Sequence, residues 1–259
     1  MRKFVRGILA FYDDFFIINK PYGIQVHGTD DSLDVQVRAF LKAHAVSKEN
    51  EGVSDKAFTK ETSLSFTPGP LHRLDKNTTG ILVFSKSLKG AREFSKILQE
   101  HKIQKIYTGI IQGNLGEKQD WNDSITNERK TTKKFYTVKA TAGINSKSQD
   151  SKNNTKTAVT TVTPLAHGKY NGMEITLAEF FIKTGRKHQI RSQSALHGFP
   201  LLGDTAYGGK CITEKNGKLK KEFFLHATEL IFEDDFSSDF GMPKTICCPV
   251  PEDFKDLFS

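Results

Sequence analysis

The sequence of 259 residues is poor in cysteine and has no long hydrophobic run. A transmembrane helix needs about 20 consecutive apolar residues, so none is predicted. The short apolar stretch near the basic N-terminus is interrupted by Asp13 and Asp14, so no secretory signal is predicted either. Of the three cysteines, Cys247 and Cys248 are adjacent and no Cys-x-x-C pair occurs, which argues against a disulfide framework and a zinc site. We therefore expect a chain in the reducing cytoplasm, without a metal or a membrane contact.

Basic residues are in excess. The chain has 38 Lys and Arg against 30 Asp and Glu, a formal net charge of +8, while hydrophobic residues make up 37% of the sequence. The apolar content is that of a globular protein with its own core. The charge is expected of a protein that meets polyanions such as nucleic acid. Solvated lysines give the same excess in many proteins, so charge alone leaves both interpretations open.

Hydrophobic periodicity predicts few helices and many strands. Helical spacing occurs over residues 33–46, with Ser32 as N-cap, over residues 88–102, and from Gly185 to a glycine C-cap at Gly198. Strand patterns include a buried strand from Ile81, the segment KIYTGIIQG, and hairpins at both ends of the sequence. Three polar tracts, residues 47–69, 116–134 and 143–158, are predicted to be loops. This pattern favours an α+β fold with a mixed, mostly antiparallel sheet over a doubly wound fold.

A polar segment, residues 71–80, lies directly before the predicted buried strand. It contains His72, Arg73, Asp75 and Lys76, and loops at strand ends are where functional side chains are often held. The alternative is a structural turn in which Asp75 or Asn77 binds backbone groups. The sequence of the segment does not decide between a site and a turn.

A second cluster, residues 184–191, reads TGRKHQIR. We expect Gly185 to open a helix on which Lys187 and Arg191 share a face. The free amides of a helix N-terminus, beside Arg186, Lys187 and His188, would bind a phosphate group. The alternative is a solvated basic face.

Taken together, these segments resemble the RluA-type pseudouridine synthases. HRLDKNTTGILVFSKS is similar to the catalytic motif of that family, and NKPYGIQVHG, KIYTGIIQG, TGRKHQIRSQSALHGFPLLGDTAYGG and FLHATELIF follow its other motifs in the same order. The resemblance covers nearly the whole chain. The departures, expected to affect specificity more than chemistry, are Thr78-Thr79 where Thr-Ser is common, Lys187 where Thr is common, and Ser192-Gln193 where Val-His is common.

The resemblance implies a pseudouridine synthase fold with a catalytic cleft across the sheet, and isomerisation of uridine in RNA. The bond from N1 of the base to C1′ of the ribose breaks, the base rotates, and C5 joins C1′, without cofactor or metal. The task is related to glycoside cleavage, in which a carboxylate faces an electron-poor C1′, but water must be excluded so that the base is recaptured. One aspartate should suffice.

Three catalytic residues follow from the resemblance. Asp75 holds the position of the catalytic aspartate, which either attacks C1′ or removes the C2′ proton. Arg191 is expected to pair with Asp75 and keep it ionised, although a surface salt bridge would also explain an arginine there. Tyr107 is expected to stack on the uracil and offer a phenol, with ordinary strand packing as the alternative.

Contacts with RNA are expected from basic residues. Arg73 matches the position that enters the RNA stack in place of the extruded base, which suits a planar cation. A basic groove is expected from Lys20, Lys102 and Lys105. His72 and His188 fit either a structural role or a phosphate contact. The predicted RNA-binding residues are Arg73, Lys105, Arg186, Lys187 and His188.

Other functions fit less well. A non-catalytic RNA-binding or ribosome-assembly factor would be expected to lack the aspartate, tyrosine or arginine, and all three are present. A zinc nucleobase deaminase needs H-x-E with P-C-x-x-C, which is absent. We expect one catalytic domain over residues 1–259, without an N-terminal S4 domain because the catalytic pattern begins by Ile8, and a monomer. The sequences NKPYGIQVHG and E-x-x-I-Q-K-I-Y resemble the large-subunit ribosomal subgroup of the family. They favour large-subunit ribosomal RNA as substrate, with transfer RNA as the alternative.

Overall fold

The computed structural model describes residues 7–50, 66–129, 136–143, 155–213, 219–233 and 235–258. Internal contacts divide the chain into two compact units. The first unit consists of Met1–Gln104 and Ala227–Cys248, and the second of Lys105–His226 and Pro249–Ser259. The expectation of one catalytic domain over residues 1–259 stays a prediction.

The described elements are mostly strands. The strands are β1 (Ile8–Phe11), β2 (Phe15–Lys20), β3 (Gly69–Pro70), β4 (Thr79–Ser85), β5 (Ile103–Gln112), β6 (Gln119–Arg129), β7 (Tyr136–Ala142), β8 (Thr155–Tyr170), β9 (Met173–Ile182), β10 (Ile212–Thr213), β11 (Leu219–Lys221), β12 (Leu225–Phe232) and β13 (Thr245–Cys247). The helices are α1 (Leu33–Asn50), α2 (Leu88–Gln99), α3 (Gln189–Leu196), α4 (Phe236–Asp239) and α5 (Glu252–Lys255), with a short 3-10 helix at Thr205–Tyr207. The α+β prediction with a mostly antiparallel sheet is confirmed. None of the helices in the described ranges is long and apolar enough to cross a membrane.

The first unit is built on strands in the order β1-β2-β4-β12, with β3 beside β4 and β13 beside β12. All seven residues of β4 are buried, which explains its continuous apolar sequence. Helix α2 covers this sheet with Phe94 and Ile97, which pack in one core with Phe15 and Phe232. The predicted hairpins at residues 7–26 and at the C-terminal end are confirmed.

The second unit contains strands in the order β5-β9-β8-β6-β7, and the recorded pairs among them are antiparallel. Helix α3 packs on β6, where the His197 ring that follows the helix stacks on Trp121 at 4.7 Å between ring centroids. A second core lies around Ile110, Phe224 and Phe254. This unit carries the tyrosine, the arginine and most of the basic residues singled out above.

Two of the loop predictions need correction. Residues 119–129 form β6. The sequence does not predict this strand because some of its buried side chains are polar and are hydrogen-bonded inside the unit, which leaves only Trp121 and Ile125 as an apolar alternation. Residues 130–134 of that tract lie outside the described residues. The tract 143–158 ends in β8 from Thr155 onward, and residues 144–154 lie outside the described part.

The boundaries of α1 and α3 also differ from expectation. Helix α1 extends to Asn50, so the loop predicted from residue 47 begins later, and residues 51–65 are not described. Helix α3 begins at Gln189 and not at Gly185, because His188 adopts a left-handed backbone (φ 53°) that ends the preceding turn. Lys187 therefore lies before the helix and does not share a helical face with Arg191. The glycine end is confirmed, with Gly198 at φ 83° and its N–H bonded to the Ala195 carbonyl at 3.2 Å.

Candidate functional site

Asp75 lies in the loop between β3 and β4, where it is half-buried, while Arg73 in the same loop is exposed. The Asp75 carbonyl accepts a hydrogen bond from the Thr78 N–H at 3.1 Å, which closes a tight turn. Gly80 ends the loop at φ 105°, and a Cβ there would lie 2.2 Å from the Ala227 carbonyl oxygen. The loop can therefore enter β4 only through a glycine.

A buried lysine holds this loop. Lys20, at the end of β2, is fully buried, and its Nζ donates to the carbonyl oxygens of Pro21 at 3.0 Å, Lys76 at 2.8 Å and Thr78 at 2.8 Å. One ammonium group, with three N–H donors for three carbonyls, thus holds the first and third residues after Asp75 together with the residue that follows β2. Burial lowers the pKa of Lys20 to about 7, and the negative charge of Asp75 opposes this shift. The expectation that Lys20 lines a basic groove is wrong, since none of its surface is exposed.

His72 also has a structural contact. Its Nε2 accepts a hydrogen bond from the Val83 N–H at 3.2 Å, and its ring stacks on Phe94 with centroids 6.2 Å apart. Of the two roles that the sequence left open, the described contacts favour the structural one. Lys102, another expected groove residue, pairs with Glu100 at 3.0 Å on the surface.

Arg191 belongs to a buried cluster in the second unit. Its Nε donates to Asp204 Oδ2 at 2.7 Å and its Nη2 to Asp204 Oδ1 at 2.8 Å, a bidentate pair that is almost fully buried. The guanidinium carbon lies 4.4 Å from the ring centroid of Phe223 and 4.9 Å from that of Tyr207. His188 Nδ1 lies 2.8 Å from the Tyr207 hydroxyl oxygen. The guanidinium is therefore held by a carboxylate and two rings, and the surface salt bridge considered above is wrong.

Asp204 was missed by sequence reasoning. It lies 13 residues after Arg191 and within the segment FPLLGDTAYGG, which had been noted only as part of the resemblance. The available signal was that a buried arginine requires a carboxylate partner. The expected pairing of Arg191 with Asp75 stays a prediction.

Tyr107 lies on β5, is 8% exposed, and is paired across the sheet with Phe180 of β9. Lys105 precedes it by two residues and so shares its face of the strand. Burial lowers the pKa of Lys105, and the nearby charge of Arg186 lowers it further. Lys105 and Arg186 are thus close together, and their contact with RNA stays a prediction.

The segment before α3 is fixed by a buried glutamine. Gln189 Oε1 accepts hydrogen bonds from the Thr184 hydroxyl at 2.8 Å and the Arg186 N–H at 3.0 Å, while its Nε2 donates to the Thr160 hydroxyl at 2.9 Å. One side chain thereby ties the loop, α3 and β8 together. Sequence reasoning did not single out Gln189, because an amide gives no signal of its own until its partners are known.

The predicted site residues fall in both units. The first unit carries Asp75 and Arg73, and the second carries Tyr107, Arg191, Lys105, Arg186, Lys187 and His188. In the described ranges no group of three or more His, Cys, Asp and Glu residues could hold a metal ion. The described residues therefore provide a carboxylate on a fixed loop, a guanidinium fixed by Asp204, the phenol of Tyr107 and the two neighbouring cations Lys105 and Arg186.

Comparison with known proteins gives consistent results. Residues 14–196 match the family described as RNA pseudouridylate synthase. The chain is 29% identical over 239 residues to tRNA pseudouridine synthase C of Vibrio parahaemolyticus, covering 89% of this chain and 86% of that protein. It is 30% identical over 226 residues to ribosomal large subunit pseudouridine synthase D of Borreliella burgdorferi, covering 86% of this chain and 60% of that protein.

A solved structure is also similar. Human RNA Pseudouridylate Synthase Domain Containing 1 matches with a TM-score of 0.66 at 22% identity, covering 94% of this chain and 82% of that one. At this identity the likeness concerns the fold, and it agrees with the fold expected from the sequence.

Replacement of Asp204 should reveal how strongly the buried pair holds Arg191. We expect Asp204→Asn to lower the free energy of unfolding by about 3–5 kcal/mol, because it leaves a buried guanidinium without its counter-charge. Urea denaturation measures this loss. Glu252→Gln is the matched control, since it removes a carboxylate from the exposed pair with Lys255 and should cost less than about 1 kcal/mol. Equal losses in the two variants would contradict a holding role for Asp204.

Replacement of Lys20 should change both stability and its dependence on pH. Lys20→Met leaves three carbonyls without this donor, so we expect the free energy of unfolding to fall by about 2 kcal/mol or more. The folded pKa of Lys20, about 7, lies below the ordinary value of 10.5, so between these pH values the unfolded chain binds a proton that the folded chain does not. Wild-type stability should therefore gain up to about 1.4 kcal/mol per pH unit from this group as pH rises above 7.

The measurement is urea denaturation of both proteins at several pH values from about 6.5 to 9. The slope of stability against pH should be smaller in Lys20→Met than in the wild type. Lys42→Met, which removes an exposed lysine of α1, should retain the wild-type slope. Parallel slopes for wild type and Lys20→Met would show that Lys20 does not titrate in this range.

Proposed function

The chain belongs to the RNA pseudouridylate synthase family, and from this premise we propose that Asp75 is the carboxylate with which it converts uridine to pseudouridine. The enzyme is an isomerase that acts on RNA. The observation that supports Asp75 is the loop held by Lys20, two of whose hydrogen bonds go to the carbonyls of the first and third residues after the aspartate. A backbone held in this way loses little conformational freedom when the substrate binds.

The reaction that we assign to Asp75 balances without a cofactor. The N1–C1′ bond breaks, the base rotates, the C5–C1′ bond forms, C5 loses its proton and N1 gains one. Asp75 either forms a bond to C1′ that the rotated base later displaces, or removes the C2′ proton, which is returned after the new bond forms. Both routes require an ionised carboxylate, and the Lys20 ammonium is a favourable neighbour for that charge.

We assign Tyr107 and Arg191 to the same reaction. A tyrosine ring packs on the face of a uracil, and its phenol is able to handle the proton lost from C5. The guanidinium of Arg191 would supply positive charge from a fixed position, since Asp204 and two rings hold it. The pairing of Arg191 with Asp75 remains a prediction of the resemblance.

RNA binding is proposed for the basic residues. Arg73 is exposed beside Asp75, which suits a side chain that fills the gap left by an extruded base. Lys105, Arg186, Lys187 and His188 are proposed to contact the RNA backbone. The expected cytoplasmic location and monomeric state also remain predictions.

We propose large-subunit ribosomal RNA as the target, because the sequences NKPYGIQVHG and E-x-x-I-Q-K-I-Y, which includes Tyr107, resemble those of the large-subunit ribosomal synthases. Transfer RNA is the second candidate, supported by the match to tRNA pseudouridine synthase C over 86% of that protein. The match to a ribosomal large subunit synthase at similar identity supports the first. Both are folded RNAs in which a target uridine must be extruded from its stack.

The target is tested by mapping pseudouridines in ribosomal and transfer RNA from cells with and without the gene. We expect at least one position in large-subunit ribosomal RNA to lose its modification when the gene is absent. Loss confined to transfer RNA would replace the first target by the second. No change in either RNA would contradict both targets.

Replacement of Asp75 tests the catalytic assignment. Asp75→Asn keeps the shape of the side chain but removes its charge, so we expect turnover to fall by at least about 10³-fold while the protein stays folded and binds RNA. Turnover is measured as tritium release from RNA labelled at C5 of uridine, and binding is measured separately.

Tyr107→Phe provides the contrast, because it keeps the ring and loses only the hydroxyl. It should lower turnover with little effect on RNA affinity. Near-normal tritium release by Asp75→Asn would mean that this carboxylate is not the catalytic group and that the segment is a structural turn.

A further inference from the structure

Lys105 and Arg186 lie close together beside Gly185. Lys105 Nζ lies 3.1 Å from the position that a Cβ of Gly185 would take. The side chain of Lys105 is partly buried, and no hydrogen bond or ion pair links it to another described residue. Arg186 uses its Nε to donate to the Thr157 carbonyl at 2.9 Å, and its terminal amino groups have no recorded partner in the described part of the chain.

Two buried cations in the described part of the chain have their acceptors within the protein. Lys20 has three carbonyl acceptors and Arg191 has both oxygens of Asp204. Buried charges are normally paired, since removing them from water is otherwise costly. In the described part of the chain Lys105 is linked to no other residue, and the neighbouring charge of Arg186 repels it, so a purely structural role does not account for this pair.

An anion would remove this conflict. It would attract both side chains, and its binding would favour the protonated form of Lys105, which burial and Arg186 now oppose. The combination is well suited to a phosphate group, because the guanidinium donates in a planar fork and the ammonium acts as a compact charge. The missing Cβ of Gly185 leaves room beside Lys105 Nζ.

The position of Lys105 relates the anion to the substrate. Lys105 and Tyr107 lie on one face of β5, and a separation of two residues along a strand is about 7 Å. If the uracil lies against Tyr107, the cations are at a distance that the sugar and phosphate of a nearby nucleotide can span. A free phosphate ion would bind the same two cations, but the proximity of Tyr107 would not contribute to its binding.

We propose that Lys105 and Arg186 together bind a single phosphate of the RNA backbone beside the target uridine. This inference rests on the proposed function, in which Tyr107 contacts the uracil. It goes further by assigning both cations to the same phosphate, which sets them apart from basic residues that contribute only a general attraction.

The test compares Lys105→Gln, Arg186→Gln and the double variant with Lys169→Gln. Lys169 is an exposed lysine at the far end of β8 from Thr157, so its replacement changes the net charge equally without touching the proposed seat. RNA affinity is measured across salt concentrations with two probes, a uridine dodecamer and an unmodified transcript of the RNA found by mapping.

The salt dependence should show a shared contact. Each neutralised phosphate contributes about 0.7–0.9 to the slope of log affinity against log salt concentration. We expect the double variant to lose about this amount in total, and not twice as much, whereas Lys169→Gln keeps the wild-type slope. An unchanged slope in the double variant, or additive losses of two contacts, would overturn the proposal.

A transcript with one uncharged methylphosphonate linkage next to the target uridine locates the contact. One such position should weaken binding to the wild type and have no further effect on the double variant. If the methylphosphonate weakens binding equally in the wild type and the double variant at every position, Lys105 and Arg186 do not bind this RNA backbone. Stabilisation of the wild type by inorganic phosphate, with unchanged RNA slopes in the variants, would indicate a seat for a free anion and overturn the assignment to RNA.

Stability provides a further readout. Lys105→Gln removes one of two repelling cations, so its melting temperature should equal or exceed that of the wild type, and a clear decrease would indicate a structural role. The uridine dodecamer keeps this test separate from the proposed function. If mapping finds no modified RNA but the dodecamer slopes change as expected, the phosphate seat stands and the proposed target falls.

Discussion

The ammonium group of Lys20 is the interaction on which the loop of Asp75 depends. A short loop that leaves one strand and enters another has several carbonyls with no partner in the sheet, and a buried carbonyl without a donor is costly. One ammonium satisfies two of them, those of Lys76 and Thr78, together with the carbonyl of Pro21 after β2. The position of Asp75 is therefore set by the backbone to which it is attached.

Four basic residues of the described chain differ in the groups that contact their charged ends. Lys20 is bound by neutral carbonyls, so it fixes the backbone without cancelling the charge of Asp75. Arg191 is bound by a carboxylate, which fixes the guanidinium and balances its charge. Lys105 has neither arrangement, and Arg186 donates only through its Nε, to the Thr157 carbonyl. This difference is the reason for assigning the pair to a ligand. Local environment thus separates cations that are fixed by partners within the protein from the pair that we assign to a ligand.

Prediction from sequence succeeded where apolar residues decided the structure. Strand β4 is a continuous apolar run, and α2 places Phe94 and Ile97 on one face, so periodicity alone predicted both. It failed where polar groups are buried. Strand β6 was missed because Asp123 and Ser124 are polar and yet buried in it, and the start of α3 was missed because the Gln189 side chain and not Gly185 organises it. The partnership of Arg191 with Asp204 joins positions 13 residues apart, which no local pattern reveals.

The same limitation affects the expectation about specificity. Gln193 stands where histidine is common in the family, and the departure was expected to affect substrate choice. The side chain is fully buried, with Nε2 donating to Asp123 Oδ2 at 2.7 Å and Oε1 accepting from the Thr160 hydroxyl at 2.6 Å. A side chain with no exposed surface cannot contact RNA directly. Any influence of Gln193 on substrate choice must pass through the position of α3, and therefore through Arg191 on the same helix.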